Sequence, residues 1–413
     1  MSLTRREFLQ ASAGTIAILT MADRVYAQGK FDDPAALYAP MVGAEELVFL
    51  AQDARGPDGS PTNERGAVSQ ARQTVENLRR TLQKTGLDLS HLVFLTIFLT
   101  NYNDATEISR LIESYFPDPK KTYPATCFVG VMSLDGGCVI RMDAIATNSA
   151  DRAQINVPGV PYGPGSRCHG VRVGDLFFLS GVDAGGPGGS AAASADMGVQ
   201  TGAILDRLAV ILKSEGLSLS GMFRTFMFMP DLSTRGAYGE ARRKKYKDIF
   251  KLEEYPANSG IGVKSLGQNL LLRSVAIASR DRTKAVVVSD KVRLAPGSFS
   301  QSYRAGKWLF VAGQDAITFD RTTRAVGDLV GQTEACLMDT KYIVEAAGGT
   351  LDNVVKTTVY LVAGQENSKF AMPYQKFFKT YRRISTMPSG LTVEVKELAP
   401  QCLVEIDSVA HLG

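Results

Sequence analysis

"EYPANSGIGVKSLGQNLLLRSVAIA", Glu254–Ala278, is written three times in this chain with altered spelling. Its counterparts are "TYPATCFVGVMSLDGGCVIRMDAIA", Thr122–Ala146, and "TMPSGLTVEVKELAPQCLVEIDSVA", Thr386–Ala410. Pro124, Pro256 and Pro388 lie 132 residues apart each time, and the closing alanines keep that interval. Upstream, "FLAQDA", "FLSGVDA" and "FVAGQDA" end at Ala54, Ala184 and Ala316. Landmarks in fixed order at near-constant spacing mark tandem structural repeats. The 413 residues therefore divide into units over 28–150, 151–284 and 285–413, behind a leader over 1–27.

The third unit shows the plan. "SFSQSYRAGKWLFVAGQDA" predicts two strands around a Gly-Lys turn. "LVGQTEACLMDTKYIVEAAGG" predicts a helix stopped by paired glycines, and the β-branched "NVVKTTVYLVA" predicts a strand. "SKFAMPYQKFFKTYRRI" predicts a second helix, and the opening stretch predicts a closing hairpin. The order ββαβαββ describes an α+β layer, a mixed sheet with two helices on one face. Its other face must also be buried. Three copies can bury those faces against one another around a pseudo-threefold axis, making one chain a pseudo-trimer. "NSADRAQINVPGVPYGPGSR" and "SRDRTKAVVVSDKVRLAPGS" read as the linkers between units.

Hydrophobic content of 45% and charged content of 21% fit a soluble globular protein. A net charge of +4, without a basic stripe interleaved with aromatics, excludes nucleic acid as an expected partner. "RRKKY", Arg242–Tyr246, reads as a solvated helix face. The first 27 residues differ in kind: Arg5 and Arg6, the apolar "ASAGTIAILTM", then "RVYAQ" with cleavage expected after Ala27. They read as a cleavable twin-arginine export signal, too short for a permanent anchor. The expectation is a periplasmic or secreted protein, handled by the twin-arginine machinery and free of the membrane after cleavage. Cys127, Cys138, Cys168, Cys336 and Cys402 form no CxxC pair, and His91, His169 and His411 are scattered. No metal and no cofactor is expected.

The proline-led strand, the hairpin ending in "AIA", the "SGQ"-like strand end and "VKTTVYL" resemble the Rid (YjgF-type) family. The resemblance covers the mature chain as three copies and implies a chorismate-mutase-like fold with ligand clefts between units. Members are usually homotrimers, and many hydrolyse enamines or imines to 2-keto acids. In those members an arginine two residues after the proline clamps the substrate carboxylate by two parallel bonds. Here Thr126, Asn258 and Gly390 occupy that position, so the ordinary deaminase assignment is weakened in every unit. The family's last-strand glutamate, which holds water, is matched by Arg141, Arg273 and Glu405.

Strand alternation points Arg141 and Asp143 away from the helices, with Glu405 and Asp407 likewise. Two readings stay open. One is a structural Arg–Glu–Arg cluster around the pseudo-axis, compensated by Asp143 and Asp407. In the other, arginine binds an anionic ligand beside Glu405 as base. Asp53, Asp183 and Asp315 recur at one strand end, as acceptors of backbone N–H groups or as a general base. Gln52 and Gln314 could contact ligand. Arg167 and Phe299 stand where the family often has a pocket tyrosine, and His169 lacks an evident partner. The sequence thus predicts a binder of a small polar or anionic metabolite. The alternatives are a divergent deaminase or related hydrolase with Glu405 and Asp315 catalytic, or a non-catalytic accessory subunit.

Overall fold

The computed structural model describes residues 26–27, 37–56, 66–118, 122–163, 165–186, 190–267 and 269–413. The expected export signal lies outside the described residues, except for the backbone of Tyr26–Ala27.

The first unit runs β1 (Tyr26–Ala27), β2 (Met41–Ala44), β3 (Leu47–Asp53), α1 (Ala67–Gln83), β4 (Leu92–Leu99), α2 (Ala105–Ser114), β5 (Ala125–Gly130) and β6 (Ile140–Thr147). The second has β7 (Arg152–Ile155), β8 (Gly170–Val173), β9 (Leu176–Leu179), β10 (Val182–Asp183), α3 (Met197–Ser214), β11 (Met222–Met229), α4 (Arg235–Tyr246), β12 (Ala257–Gly262) and β13 (Arg273–Ser279). The third has β14 (Ala285–Val287), β15 (Ser302–Ala305), β16 (Trp308–Gln314), α5 (Leu329–Ala346), β17 (Val354–Val362), α6 (Asn367–Tyr381), β18 (Ser389–Val395) and β19 (Val404–His411).

Each unit is a mixed sheet with two helices, an α+β layer as expected. The third sheet has the order β14-β15-β16-β19-β17-β18, and the first repeats it. Two local expectations change. The closing stretch is not a hairpin, because β19 inserts between β16 and β17, while β18 lies parallel to β17 at the edge. The helix between β17 and β18 is the crossover that a parallel pair needs, and the last strand passes over β17 to pair on its other side. The two supposed linkers also contribute edge strands, β7 against β8 and β14 against β15.

The three sheets pack face to face. All eight residues of β4 are buried, as expected for a strand covered by helices on one side and by the other sheets on the other. Phe49, Phe98, Phe178, Phe228 and Phe310 line a central cavity of about 50 Å³ at their meeting. Backbone pairs close the ring: Gly130 with Ser265, Gly262 with Glu397, and Glu394 with Ser133. In each pair the residue six after one unit's proline meets the residue nine after the next unit's proline. This cyclic rule makes the chain an intramolecular pseudo-trimer with three inter-unit interfaces.

Candidate active site

The last strand of each unit sends one long side chain into a different cleft. Arg273 reaches the cleft between the first and second units, with only 1% of its surface exposed. Its Nε and Nη2 donate to Asp183 Oδ2 at 3.0 and 2.7 Å, and Nη1 donates to the Phe128 carbonyl at 2.5 Å. Further bonds run to Tyr102 Oη at 2.8 Å and the Leu266 carbonyl at 3.1 Å. Arg141 does the same between the third and first units, donating to Asp53 Oδ2 at 2.8 Å and the Thr392 carbonyl at 2.7 Å. Phe128 and Thr392 both lie four residues after their prolines, so the two arginines are equivalent staples.

Of the two readings left open, the Arg–Glu–Arg cluster on the axis is therefore corrected. The threefold arrangement separates the three side chains, one to each interface. Asp143 pairs instead with Lys356, and Asp407 with Arg224 at 2.6 Å. The counter-ions of the staples are Asp53 and Asp183. Each also accepts a backbone N–H from two residues on, as does Asp315: from Arg55 at 3.0 Å, Gly185 at 2.9 Å and Ile317 at 3.2 Å. Burial would raise the Asp53 carboxyl, but Arg55 and Arg141 hold it below its ordinary range.

Gly390 serves packing. A Cβ there would stand 2.7 Å from Tyr38 and 2.5 Å from the Thr357 carbonyl. Tyr38 fills that interface, with its hydroxyl 2.6 Å from Thr392 Oγ1. Thr126 is fully buried and bonds Ser166 at 2.8 Å. Arg167 makes a 2.5 Å ion pair with Glu113 in the cleft between the first and second units, a cavity of about 720 Å³. His169 is buried, accepting the Val157 N–H at 3.0 Å with Nδ1 and facing the Val160 carbonyl with Nε2. Burial lowers its pKa, so this histidine is a neutral structural group. All five cysteines are buried and unpaired.

The cleft between the second and third units is built differently. Glu405 replaces the staple there, 5% exposed, and no described residue hydrogen-bonds its carboxyl group. Gly313 makes room for it, since a Cβ at 313 would collide with Glu405 Oε1. Burial, then the neighbouring Asp407 and Asp315, push its pKa well above the usual carboxylate range. Glu405 lines a cavity of about 610 Å³ with Asn258, Asp315, Phe299 and five arginines: Arg235, Arg242, Arg243, Arg293 and Arg321. Asn258 Oδ1 accepts from Thr225 Oγ1 at 2.8 Å. Arg293 is 3.3 Å from Asp315, with its guanidinium 5.6 Å from the Phe299 ring centroid.

Gln314, expected at the ligand, donates to the Ala312 carbonyl at 2.8 Å and does not line the cleft. Gln52 likewise turns to Thr81 on α1. Alternation puts the residues on either side of Gln314, Gly313 and Asp315, on the cleft face instead. Two cleft features escaped the sequence. Arg293 sits in a supposed linker, and "RRKKY" is not wholly solvated, because Arg242 is buried against Tyr238 and the Ser298 carbonyl. The helical period within that run was the available signal.

The family model described as Endoribonuclease L-PSP matches residues 30–148 and 291–412, more than half of the chain. The chain belongs to the endoribonuclease L-PSP family. The match falls on the first and third units. A RutC family protein of Pyrococcus horikoshii is 35% identical over 130 residues, 31% of this chain and 98% of its own. One from Sulfurisphaera tokodaii is 34% identical over 128 residues, again 31% and 98%. Each of these relatives is about one unit long. Among solved structures, a chorismatase aligns over 89% of this chain and 100% of its own, with a TM-score of 0.56 and 14% identity. That likeness is one of fold.

Proposed function

We propose that this protein binds a small anionic metabolite in the cleft between its second and third units and processes it with Glu405 as acid and base. One observation carries the reading. Glu405 is a buried carboxyl group without a hydrogen-bond partner among the described residues, at an open cleft, while its two equivalents are arginines with full sets of acceptors. A carboxyl kept neutral by its surroundings can donate a proton to substrate and then recover one from water. Among the described residues no cysteine or histidine lines this cleft, and water is the nucleophile assigned to the reaction. The reaction class is hydrolysis of a C=N bond: water adds to carbon, Glu405 protonates nitrogen, and ammonia leaves a carbonyl product. The five arginines favour a substrate carrying a carboxylate.

A binding role without turnover is the second reading, favoured by the missing clamp at Thr126, Asn258 and Gly390. Imines generated from an amino-acid panel by an amino-acid oxidase separate the two. The catalytic reading expects faster ammonia release with wild type than in buffer, and its loss in Glu405→Gln. Rates equal to buffer across the panel would leave only binding. We further propose export, on the strength of Arg5, Arg6 and the apolar segment that follows. Replacing both arginines by lysine should keep the protein in the cytoplasmic fraction; unchanged fractionation would overturn the route.

A further inference from the structure

We propose that Arg293 is the carboxylate anchor of the Glu405 cleft. From the wall of the third unit it does what the Rid resemblance assigns to position 258 on the wall of the second. The inference rests on the reading of that cleft as the working one.

The argument begins with how the arginines are used. Arg273 spends its guanidinium on Asp183, Tyr102 and two carbonyls, and Arg141 on Asp53, Asp135 and one carbonyl. Arg293 is different. Only its Nη2 reaches a described acceptor, Asp315, at 3.3 and 3.5 Å. Its Nε and Nη1 therefore keep their N–H groups among the described residues. The group is nevertheless held: Asp315 takes one edge, Phe299 lies beneath it, and Gln301 Nε2 bonds its own carbonyl at 3.2 Å. Its side chain is 20% exposed, open to a ligand yet partly shielded from water. An oriented guanidinium with a free edge is the usual receptor for a carboxylate.

Asn258 supplies the complement. Thr225 occupies its oxygen, so the amide nitrogen is left as a neutral donor on the opposite wall. A ligand with its carboxylate on Arg293 can place a neutral acceptor, a keto oxygen or imine nitrogen, toward Asn258 and Glu405. A cavity of about 610 Å³ is far larger than a three-carbon acid, and Leu232, Leu294 and Ile317 give it apolar surface. The ligand class is a 2-oxo or 2-imino acid with a bulky apolar side chain.

Calorimetric titration with phenylpyruvate and with its primary amide tests the anchor. Wild type should bind the acid at least about tenfold more tightly than the amide. Arg293→Gln should weaken the acid by a similar factor and bring the preference close to one, with Arg293→Lys intermediate. Glu405→Gln should keep the preference, since it leaves the anchor in place. An unchanged preference in Arg293→Gln overturns the anchor while leaving the cleft reading standing. Binding of neither probe by wild type overturns both. Should Arg293→Gln lose its near-ultraviolet circular dichroism, Arg293→Lys decides: a reduced preference supports the anchor and an unchanged one overturns it.

Discussion

Glu405 is a carboxyl group placed beside Asp315 and Asp407 under low exposure, and those surroundings favour its proton. The sign for stability follows. A group whose folded pKa is raised contributes fully below the unfolded carboxylate value of about 4.3, and that contribution is lost as pH rises through the folded value. Urea unfolding at stepped pH should show wild type losing stability above the carboxylate range, and Glu405→Gln losing less. Turnover that needs the acid form should fall over the same window. A variant with the same stability profile as wild type would mean that folding leaves the proton affinity of Glu405 unchanged, and the raised value would be overturned. Arg273 is the contrasting residue. Arg273→Met leaves Asp183 buried without its partner and strips the carbonyls of Phe128 and Leu266, at a cost of about 3–5 kcal/mol. Chemical denaturation checks it, and a loss below about 1 kcal/mol would deny the staple its role.

At the scale of elements, the strand ends after each proline carry the assembly. Gly262 closes β12 against Glu397 with bonds of 3.0 Å to its carbonyl and 2.8 Å from the Lys396 N–H. A Cβ at Gly262 would lie 2.6 Å from that carbonyl and 3.1 Å from Leu232. Gly262→Ala should therefore destabilise by about 1–3 kcal/mol, read from a denaturation midpoint, because the Glu397 backbone must move as well as its Cγ, which would stand 2.2 Å away. Gly236→Ala, with open space around its Cβ position, is the control and should be neutral or stabilising. The repeats and the alternation of the last strand were legible in the sequence, because both are short-range patterns. The path of β19 between β16 and β17 was not, since nothing in its own residues names its neighbours. Arg293 was hidden for a related reason: its meaning comes from Phe299, Asp315 and a cleft that two units build together.

The whole molecule raises the question of why three different units keep one order. The pseudo-axis answers with charge. Phe94, Arg224 and Lys356 occupy equivalent places on the middle strands, opposite Ile145, Ile277 and Val409. Asp143, Val275 and Asp407 are equivalent on the last strands, 132 residues apart. Arg224 of the second unit meets Asp407 of the third, and Lys356 of the third meets Asp143 of the first. At the remaining interface the equivalent positions are apolar, Phe94 of the first unit and Val275 of the second, and both line the central cavity. Reversing the cyclic order would set Lys356 against Val275 and Phe94 against Asp407, burying two charges without partners. The arrangement thus specifies one ring more than it strengthens it, as buried pairs do when they select register. Asp143→Leu alone should cost about 3–5 kcal/mol by leaving Lys356 charged in the core, whereas Asp143→Leu with Lys356→Met should recover most of that loss. A double-mutant cycle in denaturant measures the recovery, and light scattering should report one chain per particle for wild type and the double variant. Additive losses in the cycle would show that the two side chains do not act as a pair, and the charge rule for ring order would fall with them.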